Sequence, residues 1–128
     1  MIAMRRPSLV SSVRGTTAVE FAMVLPAFVM FLLGIISASA IVWTAASMHY
    51  AVEGAARCYS VNSSQCGSAT ATQSYAQAIY HGMSSPTFTA SAPACGRQVN
   101  ATLSVVLGTG MAQWTIPLSA TACFPPTT

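Results

Sequence analysis

Few side chains in this 128-residue chain are equipped for chemistry. There are two carboxylates, Glu20 and Glu53, and no Asp or Lys at all. Acid–base catalysis needs a positioned titratable pair, and a long apolar run separates these two. His49 and His81 are single and far apart, and His49 reads as an amphipathic surface residue. The cysteines, Cys58, Cys66, Cys95 and Cys123, have no C-x2-C spacing of the kind that holds zinc. Neither a G-x-S-x-G elbow nor a phosphate-binding glycine loop occurs; Gly108-Thr109-Gly110 reads as a turn. The chain is therefore expected to be no enzyme, with no metal and no cofactor. What remains for the cysteines is disulfide formation, which requires an oxidising compartment. A small head with few charges also needs such staples. Four cysteines allow three pairings.

The composition says how the chain reaches that compartment. Charged residues make up 5%, hydrophobic residues 53%, and the mean hydropathy is +0.57. An ordinary soluble domain carries roughly 25% charged residues. Disorder is excluded, since it requires low hydrophobicity and high charge. The net charge of +3 resides in Arg5, Arg6 and Arg14, because Glu20, Glu53, Arg57 and Arg97 cancel. No clustered basic face exists for nucleic acid. From Phe21 to Tyr50 there is no charged residue, and the core of this run, Phe21 to Trp43, exceeds the roughly 20 apolar residues that span a bilayer as a helix. It is also too long for the core of a cleavable secretory signal. The arginines in front of it place the N-terminus in the cytoplasm and the chain from residue 44 onward outside, with Trp43 and Tyr50 at the outer interface.

The junction before the span is the most informative stretch. It reads Arg14-Gly15-Thr16-Thr17-Ala18-Val19-Glu20-Phe21 and continues to Pro26. A carboxylate at the edge of an apolar helix is costly and ordinarily has a partner or a task. Pro26 lies inside the span, either tolerated there or setting a kink. A basic leader ending in glycine, with glutamate five positions on and a long apolar helix following at once, resembles the type IV prepilin processing signal. More narrowly, Gly15 to Pro26 (GTTAVEFAMVLP) is similar to the start of the TadE-like pseudopilins of tight-adherence pilus systems. Ala51-Val52-Glu53-Gly54-Ala55-Ala56-Arg57 resembles that family's EGAR-type segment, with two alanines where one is usual.

The resemblance implies a bacterial inner-membrane protein with a periplasmic head, possessing a leader (residues 1–15) cut between Gly15 and Thr16 by a prepilin peptidase. It implies that Glu20 meets the new α-amino group of Thr16 on a neighbouring subunit. Implied partners are other pseudopilins or pilins and an inner-membrane assembly platform. Thr16 as first mature residue, Phe21 where major pilins of this type have Tyr, and the length of the chain favour an accessory pseudopilin. Two other readings stay open: an uncleaved single-pass anchor with a disulfide-bonded binding head, and a small secreted protein cut after Ala40.

The elements that must carry these residues follow from periodicity. Ala45, Met48, Val52, Ala55 and Tyr59 recur at helical spacing, so the helix is expected to run from Thr16 to Tyr59, about 66 Å at 1.5 Å per residue. The head, residues 60–128, opens with a polar stretch, Ser60 to Thr72, read as a loop. Tyr75, Ala76, Ile79 and Met83 then suggest a short helix ending near Gly82, which would cap it, and Pro86 and Pro93 bound a second loop. Arg97 to Leu107 alternates as a strand, and Met111 to Leu118 returns, with Pro117 suggesting a sheet edge. The fold class is α+β: a long transmembrane helix, then a disulfide-stapled head with a short helix and a β-hairpin or small antiparallel sheet. A hairpin centred on Thr109 favours Cys58 with Cys66 and Cys95 with Cys123. That centre, however, pairs odd positions with odd, while the apolar faces are odd in one strand and even in the other, which calls for a bulge near the turn.

Overall fold

The computed structural model describes residues 13–108 and 112–126, with side chains from Gly15 onward. Arg5 and Arg6 of the leader, and Thr109, Gly110 and Met111 of the expected turn, lie outside the described residues. Six elements follow in order: α1 (Val13–Val61), α2 (Ser63–Cys66), α3 (Ala69–Ile79), β1 (Thr87–Ser91), β2 (Arg97–Gly108) and β3 (Gln113–Phe124). The chain divides into two units, one ending at Ser37 and the other beginning at Ala38.

In the first unit every described side chain, Gly15 to Ser37, is exposed. A lone helix can present apolar side chains all round only in an apolar solvent, where it also satisfies its own backbone hydrogen bonds. α1 is long and apolar enough to cross a membrane.

The second unit takes in the latter half of α1 and everything after it. The buried core combines Met48, Ala51, Val52, Ala55 and Ala56 of α1 with Ala76 of α3 and Phe88, Val99, Ala101 and Ala120 of the sheet. Many of these residues are alanines, whose small side chains let helix and strand backbones approach closely. Tyr80 meets Phe88 edge to face with ring centroids 6.0 Å apart.

The polar stretch after Tyr59 is helical rather than a loop. Its polar residues are caps: Asn62 accepts from the Gln65 amide at the start of α2, and Ser68 accepts from the Ala71 amide at the start of α3. Such side chains satisfy the free amides of a first turn. Thr72 is buried and donates to the carbonyls of both Ser68 and Cys66, at 2.9 and 3.2 Å, which ties α2 to α3. α3 stops at Ile79, short of Gly82, with Tyr80 extended (φ −79°, ψ 130°).

The sheet is three-stranded and antiparallel, in the order β1-β2-β3. β1 occupies the stretch between Pro86 and Pro93 that reads as a loop. Pairing from Thr87↔Thr102 to Ser91↔Gln98 gives β2 a second neighbour and turns Phe88 into the core. β3 is an edge strand, as Pro117 requires. The hairpin pairs Arg97↔Phe124 through Gly108↔Gln113, so its centre falls between Gly110 and Met111 and not at Thr109. Odd positions of β2 therefore face even positions of β3: Leu103↔Leu118, Val105↔Ile116, Leu107↔Trp114. The apolar faces match along the whole ladder without a bulge.

Candidate functional site

The residues expected to act in processing and assembly all lie on the first unit of α1. Gly15 and Thr16 are helical, near the start of the described part of α1. Glu20 follows Thr16 by four residues and so shares its face of the helix. It is exposed, and with Glu53 it is one of two carboxylate side chains in the chain. Phe21, Met23 and Val24 beside it are 65%, 75% and 64% exposed. A carboxylate in such surroundings is costly unless it has a partner.

Pro26 sits inside α1, which continues through it without interruption. Proline has no amide hydrogen, so the carbonyl of Ala22 lacks its helical donor. Gly34 has open space around the position a Cβ would take, and with Ser37 and Ala38 it provides small residues over which another helix could approach. Ser37 returns its hydroxyl to the Leu33 carbonyl at 2.9 Å.

The four cysteines are consumed in two disulfides, Cys58–Cys66 and Cys95–Cys123, with Cα separations of 5.7 and 6.3 Å. The first fastens the end of α1 to α2. The second closes the open end of the hairpin. In the ladder Cys123 faces Gln98, and Cys95 reaches it because the chain turns back at residues 93–96. The Gly96 amide donates to the Pro93 carbonyl at 3.0 Å, and Gly96 has φ +128°. That conformation suits a residue without a Cβ; a Cβ here would also collide with the Phe124 carbonyl.

One cluster is invisible in the sequence. Trp43 donates from Nε1 to the His81 carbonyl at 3.1 Å, and the His81 amide donates to Ser47 Oγ at 2.8 Å. With Ala46 and Tyr50 these residues line a cavity of ≈ 230 Å³. No periodicity or motif links positions more than thirty residues apart, so only the fold brings them together. His49 is exposed, as a surface residue should be. Among the described residues no three His, Cys, Asp or Glu side chains gather in a way that would hold a metal ion. Burial pushes the Tyr80 phenol above its ordinary value; its hydroxyl donates to the Ser84 carbonyl at 2.6 Å.

Comparison with known proteins bears on the helix alone. No curated protein and no solved structure matches the chain. Residues 15–57, which carry Gly15, Glu20, Pro26 and the Glu53–Arg57 segment, match the family model described as TadE-like protein; the match covers about a third of the chain.

Proposed function

We propose that the protein is an accessory pseudopilin, a non-enzymatic subunit that acts in assembling an adhesive pilus of the tight-adherence type. In this reading α1 anchors the chain in the bacterial inner membrane, with the N-terminus cytoplasmic and the head periplasmic. A prepilin peptidase cuts between Gly15 and Thr16. The observation that carries the reading is the wholly exposed apolar stretch of α1 from Gly15 to Ser37, whose one carboxylate, Glu20, stands five residues past Gly15 within the residues that match the TadE-like family model.

The chemistry is consistent from residue to residue. To enter a protease cleft, α1 must open around Gly15, and the missing Cβ of that residue makes an extended backbone accessible. Cleavage then creates an ammonium group on Thr16 at the cytoplasmic edge of the bilayer. A carboxylate held in low dielectric is far less costly when paired. Glu20 on one helix and the Thr16 amine on the next would form such a pair and set the axial register between subunits. Small residues around Gly34 would let those helices pack closely. Other pseudopilins or pilins and an inner-membrane assembly platform are the partners that the TadE-like match supports.

The test is the intact mass and N-terminal sequence of the protein purified from its native membrane under non-reducing conditions. A start at Thr16, with two disulfides in the same spectrum, supports the reading. A start at Met1 removes the prepilin route and leaves a single-pass anchor with an extracytoplasmic binding head. A start near residue 41 makes it a secreted protein.

A further inference from the structure

Within the second unit α1 has one face buried and the opposite face bare. Met48, Ala51, Val52, Ala55 and Ala56 lie in the core. Val42, Ala46, His49, Glu53 and Arg57 recur at steps of three and four on the other side, and all are exposed. Two hollows open along this bare face. Trp43, Ala46, Ser47 and Tyr50 line the first, of ≈ 230 Å³, with His81 as its side wall. Tyr50, Glu53, Gly54 and Arg57 line the second, of ≈ 200 Å³, with Phe124 beside it. Each set has the spacing i, i+3, i+4, i+7, and the second repeats the first seven residues on. Four helix residues around such a hollow are what receives one side chain of a facing helix. Two hollows a heptad apart therefore suit two side chains a heptad apart, about 10 Å along the axis of one helix.

The charges indicate which helix. Glu53, Arg57 and Arg97 are the charged side chains of the unit. Arg97 is engaged over the Tyr59 ring, 4.5 Å from its centroid. Glu53 and Arg57 stand exposed in the second hollow, opposite in sign. An exposed pair of this kind contributes little on its own helix, and both charges can turn to a neighbour. A complementary neighbour must carry a carboxylate and a cation one helical turn apart, and a second copy of α1 does. Parallel and in register, two copies would set like charge against like. Displaced by four residues, about 6 Å, Glu53 of the second copy comes level with Arg57 of the first. The same displacement brings Val42 and His49 of the second copy, seven residues apart, level with Ala46 and Glu53 in the middle of the two hollows. One count thus satisfies charge and shape together. Thr16 and Glu20, paired between copies in the proposed function, are separated by the same four residues.

We infer that the strip of α1 from Trp43 to Arg57 is a socket for a second copy of this chain, its α1 parallel and displaced by four residues, with Arg57 of one copy paired to Glu53 of the other. The inference deepens the proposed function and rests on its parallel α1 helices. Trp43, Tyr50 and Arg57 receive, whereas Val42, His49 and Glu53 insert. The contact is therefore heterologous and can repeat from copy to copy.

Co-purification of two differently tagged full-length copies, co-expressed and extracted from the native membrane in mild detergent, tests it. Wild-type copies should co-purify. Glu53→Arg in both copies sets cation against cation, and Arg57→Glu in both sets carboxylate against carboxylate. Each should lower recovery at least about tenfold, since like charges across an interface are costly. With Glu53→Arg in one copy and Arg57→Glu in the other, opposite charges face again and recovery should return. Ala46→Phe, which fills the first hollow, should lower recovery as the reversals do. All three positions are exposed, so each variant should keep both disulfides, as its intact mass will show. Recovery indifferent to both reversals refutes the socket and leaves the proposed function standing. Loss in both without return in the mixed pair refutes the pairing of Glu53 with Arg57. Wild-type copies that fail to co-purify with each other, while a different pilin co-purifies, overturn the second copy as occupant. A start at Met1 in the same mass spectra overturns the pilin reading, whatever the charge variants do, so the two failures are told apart.

Discussion

Removing the Cys95–Cys123 bridge offers a stability test with little packing to confuse it. Cys95 is exposed and Cys123 half-buried, so replacing both by alanine removes little contact area. What is lost is the constraint on the unfolded chain. For a sequence separation of 28, the chain-entropy relation gives about 3.6 kcal/mol at 25 °C. For the separation of 8 at Cys58–Cys66 it gives about 2.5 kcal/mol. A domain of this size is ordinarily stable by about 5–10 kcal/mol, so the double variant should be folded but fragile. Its Tm should fall by about 14–29 °C, taking 4–8 °C per kcal/mol. The assay is urea and thermal unfolding of the full chain in mild detergent, followed by near-UV circular dichroism. The denaturant slope should rise, because the unlinked chain exposes more surface. A loss below about 1 kcal/mol would mean that the hairpin end is held without the bridge, and the entropic argument would be wrong here.

Three further outcomes follow from single positions. Gly96→Ala should cost about 1–3 kcal/mol through backbone strain alone, and more through the clash with Phe124; thiol trapping should reveal free Cys95 and Cys123, and full oxidation at the wild-type rate would contradict the argument. The raised Tyr80 phenol contributes stability that is present below its unfolded value near 10 and lost as pH rises through its folded value; alkaline titration should unfold wild type earlier relative to neutral pH than Tyr80→Phe, and identical profiles would speak against it. Glu20→Gln keeps size and removes charge, so membrane insertion should be unchanged while pilus assembly and partner co-purification fall; unaltered piliation would rule out the ion pair with Thr16.

Much of the fold could be read from periodicity where the pattern was long. The apolar run and the recurrence at Met48, Val52 and Ala55 indicate α1, and the alternation from Val99 to Leu107 indicates β2. The misreadings have physical causes. Asn62 and Ser68 look like loop residues because the chemistry that favours loops also caps helices. β1 offers only Phe88 and Ala90 as apolar positions, too few to establish a period of two; its existence depends on the open edge of β2. The centre of the hairpin was misplaced because the symmetry of the cysteines suggested Thr109, whereas the matching of apolar faces sets the register. At the candidate site, Gly15, Glu20 and Pro26 form a local pattern and were legible. The meeting of Trp43 and Ser47 with His81 is tertiary and was not.

Five of the ten residues in the buried core cluster belong to α1. Anchor and head are therefore not interchangeable modules joined by a linker. A fragment beginning after Tyr59 would leave Val99, Ala101 and Ala120 without the α1 residues that cover them, however faithfully it kept the Cys95–Cys123 bridge. A soluble version of the head must retain the helix from about Ala38, and grafting the head onto a foreign membrane helix would have to preserve Met48, Val52 and their neighbours on one face. Sequence change in the latter half of the anchor is thus constrained by the head's interior, while change before Ser37 is constrained only by what surrounds the bare helix.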